Sequence, residues 1–134
     1  MKNVPQICIT LKSDAIIKFA EKKSILYLNN PNKETVICVQ VDGCAIKNGV
    51  KCDHLYEYNG EEHFLELKGS EIKHAVEQLK QSIKQLSSSA KVYAEIVSPR
   101  SSSIGNDIQL FKKEFKRMNV ILNIHKTKTT LQIS

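Results

Sequence analysis

No tryptophan occurs in the 134 residues, and there are only four phenylalanines and four tyrosines. Several of these fall in core-like runs, so no aromatic series is left over to stack nucleobases. No stretch approaches the roughly 18 consecutive apolar residues of a membrane span. The start, Met1 to Cys8, has too short an apolar run for a secretory signal, which makes a cytoplasmic protein the expectation. Cysteines stand at 8, 38, 44 and 52 without any Cys-x-x-Cys pair, which argues against zinc. They read as structural thiols of a reducing compartment. Cys44 and Cys52 flank a short loop, and a bridge between them is neither required nor forbidden by the sequence. There is no glycine-rich phosphate loop, no Ser/His/Asp arrangement, no internal repeat and no linker.

What is present suits one domain over residues 1–134, with 41% apolar and 25% charged residues. The net charge of +6 is unevenly distributed. Residues 1–69 hold nine lysines against nine acids, while residues 70–134 hold nine lysines and two arginines against five acids. Such an excess suits a polyanionic partner, but on charge alone a mildly basic, soluble surface is the favoured account.

Taken in order, Ile7–Leu11 predicts a strand, and Ser13 or Asp14 a cap for a short helix reaching Lys23, with Ile16, Ile17, Phe19 and Ala20 on its apolar side. Ser24–Leu28 predicts a strand. Glu34–Val41 predicts another, apolar enough to be packed on both faces. Ser70 caps a helix whose stripe is Ile72, Ala75, Val76, Leu79, Ile83 and Leu86. Lys91–Val97 is a strand, followed by a Ser-rich loop. Asn106 or Asp107 caps a helix carrying Ile108, Phe111, Phe115 and Met118. Asn119–His125 is a strand, and Thr129–Ile133 adds one at an edge. The crossovers 68–91 and 96–120 are long enough to make their strands parallel neighbours. The fold class is therefore mixed α/β: a central mixed sheet containing a 51–68 hairpin, with helices on both faces.

The hairpin carries the chemistry. Lys51–Tyr58 and Glu61–Lys68 flank Asn59-Gly60, the pair that a type I′ turn demands because both central residues need positive φ. The two-residue loop sets Leu55 opposite Phe64 and Asp53 opposite Glu66, with Lys68 leaving from the same face. Like charges directly opposed are destabilising. Two carboxylates in a half-buried setting call for a proton or a cation between them, and a hard divalent cation bound by one or two carboxylates plus water meets that need.

Asp53, then twelve residues, then Glu66-Leu67-Lys68 leading into a helix resembles the motif of the PD-(D/E)xK nuclease superfamily. The resemblance covers about residues 34–97, and Cys52 stands where the motif's proline would be. It implies a restriction-endonuclease-like fold that hydrolyses phosphodiester bonds in nucleic acid, DNA rather than RNA. Asp53 and Glu66 would hold Mg²⁺ or Mn²⁺, Lys68 would act in catalysis, and Gln78 occupies the place of a glutamine found on the following helix. Glu21, Glu34 and Asp42 are candidate third acids. Arg100 in the Ser-rich loop, and Lys112, Lys113 and Lys116 with Arg117 on the second helix, are candidate phosphate contacts; a solvated face explains these equally. A homodimer would present two sites to two strands. The alternative is a non-catalytic module of the same fold that binds another protein, such as an immunity or regulatory protein. His54 and His63 lie on the face opposite the acids and read as packing residues, and His74 reads as solvated.

Overall fold

The computed structural model describes residues 1–21, 24–67, 71–98, 105–126 and 128–133. Its strands are β1 (Ile9–Lys12), β2 (Ile16–Glu21), β3 (Ser24–Asn29), β4 (Val36–Gln40), β5 (His54–Tyr58), β6 (Glu61–Leu67), β7 (Lys91–Ser98), β8 (Val120–Lys126) and β9 (Lys128–Gln132). Its helices are α1 (Ile72–Leu86) and α2 (Gly105–Arg117). A six-stranded sheet runs in the order β1-β4-β5-β6-β7-β8, and a three-stranded sheet in the order β2-β3-β9. In the large sheet β1, β4, β5 and β6 are antiparallel neighbours, while β6, β7 and β8 are parallel.

The β5–β6 hairpin forms as its turn requires. Asn59 and Gly60 have φ of 51° and 77°, and Tyr58 pairs with Glu61 and Leu55 with Phe64. Both crossovers produce parallel neighbours. On α1, all six stripe residues are buried. Its cap position is Glu71, whose side chain makes no capping bond; Ser70, expected there, lies outside the described residues.

Alternate residues of the large sheet enter two cores. Leu55, Phe64, Ala94, Ile96 and Leu122 pack with the α1 stripe and with Phe115 of α2. Tyr56, Leu65 and Val97 pack instead with Ile17, Phe19, Leu26 and Leu28 of the small sheet. Both helices therefore cover one face, and the small sheet covers the other. This corrects the expectation of helices on both faces. The same packing corrects the helix expected at 13–23. Residues 16–21 form β2, in which Ile17 and Phe19 are buried while Lys18 and Ala20 are exposed. That two-residue period, paired against Leu28 and Leu26 of β3, wins over the helical spacing because it gives the second core a wall.

The cysteines divide. Cys38 and Cys52 are buried thiols, as expected. Burial raises the Cys38 thiol to about 11 and pushes Cys52 higher still. Cys8 and Cys44, however, form a disulfide with Cα atoms 5.7 Å apart, which corrects their reading as thiols. Disulfides persist in oxidising surroundings, so these cysteines give no support to a reducing compartment. Among the described residues, no helix is long and apolar enough to cross a membrane. The bridge joins residues 36 apart in sequence. Cutting it is expected to cost about 2–4 kcal/mol, mostly by freeing the unfolded chain. Urea midpoints with and without reductant, and for Cys8→Ser/Cys44→Ser, measure this. A midpoint insensitive to both changes would show that the bridge contributes nothing.

Candidate active site at the open end of the hairpin

Asp53 immediately precedes β5, and Glu66 is the penultimate residue of β6. The ladder pairs His54 with Leu65, so its next step outward would oppose the two acids. There the chain departs from a regular ladder. The Asp53 N–H donates to the Leu65 carbonyl at 3.0 Å, and Asp53 Oδ2 accepts the Leu67 N–H at 2.8 Å. Asp53 thus clasps the backbone on either side of Glu66, and both acids are only 3% exposed. Both carboxylates also act on the neighbouring Cys52 thiol, raising it further after burial has done most of the work.

The approach to Asp53 is tied down on two sides. Its carbonyl accepts the N–H groups of Val41 (3.1 Å) and Asp42 (3.2 Å). From α1, Gln78 Nε2 donates to the Lys51 carbonyl at 3.0 Å, and Ser82 Oγ accepts the Cys52 N–H at 2.7 Å. Gln78 therefore acts on the segment that leads into Asp53. Ser82 does the same work and was missed in the sequence, where its only signal is a hydroxyl between the stripe residues Leu79 and Ile83. Lys68, the expected catalytic lysine, and Arg100, the expected phosphate contact, lie outside the described residues.

None of the three candidate third acids joins the pair. Glu21 Oε1 lies 3.6 Å from His54 Nε2, and His54 belongs to the other side of the sheet. Asp42 reaches Asp53 only through its backbone, its carboxylate lying 3.9 Å from Lys51 Nζ. Glu34 is exposed beside Asn30. Among the described residues, no group of three or more His, Cys, Asp or Glu side chains is arranged to hold a metal. The donors present are two hard carboxylates. That set fits Mg²⁺ or Mn²⁺ completed by water or phosphate oxygens, since Mg²⁺ commonly binds through one or two carboxylates.

The basic residues of α2 are elsewhere. Lys112, Lys113, Lys116 and Arg117 are exposed, and the last three line one shallow patch. Lys116 also borders a groove with Ala90–Val92 and Asn119–Ile121, at the starting ends of β7 and β8. Glu66 lies beside Ile96 and Glu61 beside Lys91, so the acids are roughly 17 Å of strand away at the finishing end. The fold does not bring this patch to the acid pair.

A second polar cluster, also missed in the sequence, lies on the small-sheet side. Glu95 of β7 is buried. Its Oε1 faces His125 Nε2 at 2.9 Å and Asn123 Nδ2 at 3.1 Å, and its Oε2 faces His63 Nδ1 at 3.4 Å. The His63 ring is stacked between Tyr56 and Tyr93, each at 4.4 Å. Burial pushes the Glu95 carboxyl up, but hydrogen bonds from His125 and His63 outweigh it and hold the group down at about 2. The signal was a lone acid inside the apolar run Val92–Val97.

Comparison of the chain with protein-family models, with curated proteins and with solved structures found no significant match.

Proposed function

We propose that the chain is a metal-dependent nuclease of the PD-(D/E)xK type, hydrolysing phosphodiester bonds in nucleic acid, DNA in preference to RNA. The observation that carries this reading is the pair of buried acids, Asp53 and Glu66, held at the open end of one hairpin by the Asp53–Leu67 hydrogen bond. Burying two carboxylates together is costly unless positive charge accompanies them. A motif lysine two residues beyond Glu66 and a divalent cation would supply it.

In this reading Asp53 and Glu66 hold Mg²⁺ or Mn²⁺ through their carboxylate oxygens. Such a cation polarises the phosphoryl oxygen and lowers the pKa of bound water. Lys68 adds positive charge where negative charge develops on the phosphate. Gln78 and Ser82 act through the backbone of residues 51–52, setting the position of Asp53. The chain leaves β7 at Ser98, next to the finishing end of β6, and Arg100 follows two residues later. That order favours Arg100 as the phosphate contact near the site. The α2 lysines would meet only a polyanion long enough to pass along the helix layer.

The test is a supercoiled-plasmid nicking assay with Mg²⁺, Mn²⁺ or a chelator, an RNA substrate in parallel, and calorimetry of metal binding. Nicking that needs the metal supports the proposal. Neither nicking nor metal binding would leave the second reading, a non-catalytic module that binds another protein.

A further inference from the structure

The large sheet has a cleft on the face away from the helices, closed by the end of β9. It is bounded by Tyr58, Glu61, Tyr93, Glu95, Asn123 and Gln132, among others, and encloses about 270 Å³, enough for one ring-sized molecule. The chain has 20 lysines and arginines, yet none is among the described residues that line this cleft. Two carboxylates are. Glu95 forms part of the wall and is held by Asn123 and the two imidazoles. Glu61 stands at the mouth, one-third exposed. The flanking tyrosines add aromatic surface, whose faces attract cations.

The rim already holds a cation of the chain's own. Lys91 Nζ lies 3.4 Å from Glu61 Oε2 and 6.0 Å from the centre of the Tyr93 ring. A carboxylate beside an aromatic face thus draws an ammonium group to the mouth of the cleft. Lys91 is mostly exposed, so this pair is weak and replaceable.

We infer that the cleft is a binding site for a small organic cation: an amidinium or guanidinium group carried on a flat, ring-sized body. Glu61 makes the direct charge contact and displaces Lys91 to do so. Glu95, its oxygens taken by Asn123, His63 and His125, contributes negative field from the cleft wall. Asn123 and Gln132 offer amides to the ligand's polar edge, and Tyr58 and Tyr93 flank its flat body. The site is on the opposite side of the sheet from Asp53 and Glu66 and is independent of the nuclease reading.

The probe pair is benzamidinium and benzoate, of matched shape and opposite charge. Their titrations are followed by the backbone amide resonances of the full chain. Benzamidinium is expected to give saturable shifts at Tyr58, Glu61, Tyr93, Asn123 and Gln132, and benzoate none. Glu61→Gln should weaken benzamidinium about fivefold, the size of one partly exposed charge contact. Lys91→Ala should bind it more tightly, because the internal competitor is gone. Equal binding of benzoate, an unchanged affinity in Glu61→Gln, an affinity not raised in Lys91→Ala, or shifts that avoid the cleft would each overturn the inference.

Discussion

Asp53→Asn and Glu66→Gln are expected to reduce metal-dependent nicking by about a hundredfold or more, the scale on which removing charge stabilisation acts in such sites, while the protein still folds. The choice of amides matters. Asp53 Oδ2 accepts the Leu67 N–H at 2.8 Å, and an asparagine carbonyl oxygen can keep that bond while removing the charge. Asp53→Ala would instead leave the buried Leu67 N–H without its acceptor, at about 1–3 kcal/mol, so loss of activity in the alanine variant would not separate a missing ligand from a loosened fold. Glu66→Gln follows the same logic. Lys68→Ala tests the third member of the motif. Each variant is measured for its nicking rate with Mg²⁺, its metal-binding heat and its thermal midpoint. Loss of cleavage at a near-native midpoint in all three, with the metal heat lost in the two acid variants and kept in Lys68→Ala, supports the site. Wild-type rates in all three variants would remove it.

The hairpin was readable from sequence because its information is local. Two residues with positive φ define the turn, and the turn defines every pair along β5 and β6. Helix α1 was readable because one stripe of six apolar residues leaves no competing period. Residues 16–21 were not, since Ile16, Ile17, Phe19 and Ala20 satisfy a helical and an alternating pattern alike. What decides between them is β3 pairing on one side of the same sheet and β9, from the far end of the chain, completing it. The same long-range assembly determines that helices cover only one face. The Cys8–Cys44 bridge is of this kind too: it depends on a contact between residues 36 apart that no spacing rule anticipates.

The candidate site shows the same division. The turn alone sets His54 opposite Leu65 and so brings Asp53 and Glu66 to one end of the hairpin, although the regular ladder stops before them. Their distance from Lys113, Lys116 and Arg117 depends on α2 running back along β8, which carries its last turn to the other end of the sheet. Charge composition sees these residues as one basic half, whereas the fold separates them from the acids. The Glu95 cluster was hidden for a related reason. Its partners come from β6 and β8, and only the parallel register places His63 and His125 diagonally about one carboxylate.

That carboxylate leads to the second large effect, a loss of stability in acid that can be assigned to one residue. Glu95 titrates near 2 in the folded protein against an ordinary 4.5, its imidazole hydrogen bonds more than offsetting burial. Because the folded value is the lower one, the ionised group stabilises the native state fully above about pH 4.5, and the contribution is lost as pH falls through the folded value near 2. The difference corresponds to roughly 3 kcal/mol. Glu95→Ala, which removes the shared acceptor of His63, His125 and Asn123, should cost about 3–5 kcal/mol at neutral pH. Urea unfolding of the wild type and of Glu95→Gln at pH 5 and pH 3 isolates the pH effect. The two proteins differ only at residue 95, so the difference between the curves belongs to Glu95 and the imidazoles it holds. The wild-type advantage should be smaller at pH 3 than at pH 5. An advantage that stays constant down to pH 3, or that grows, would show that His63 and His125 do not keep Glu95 ionised in the way the geometry requires.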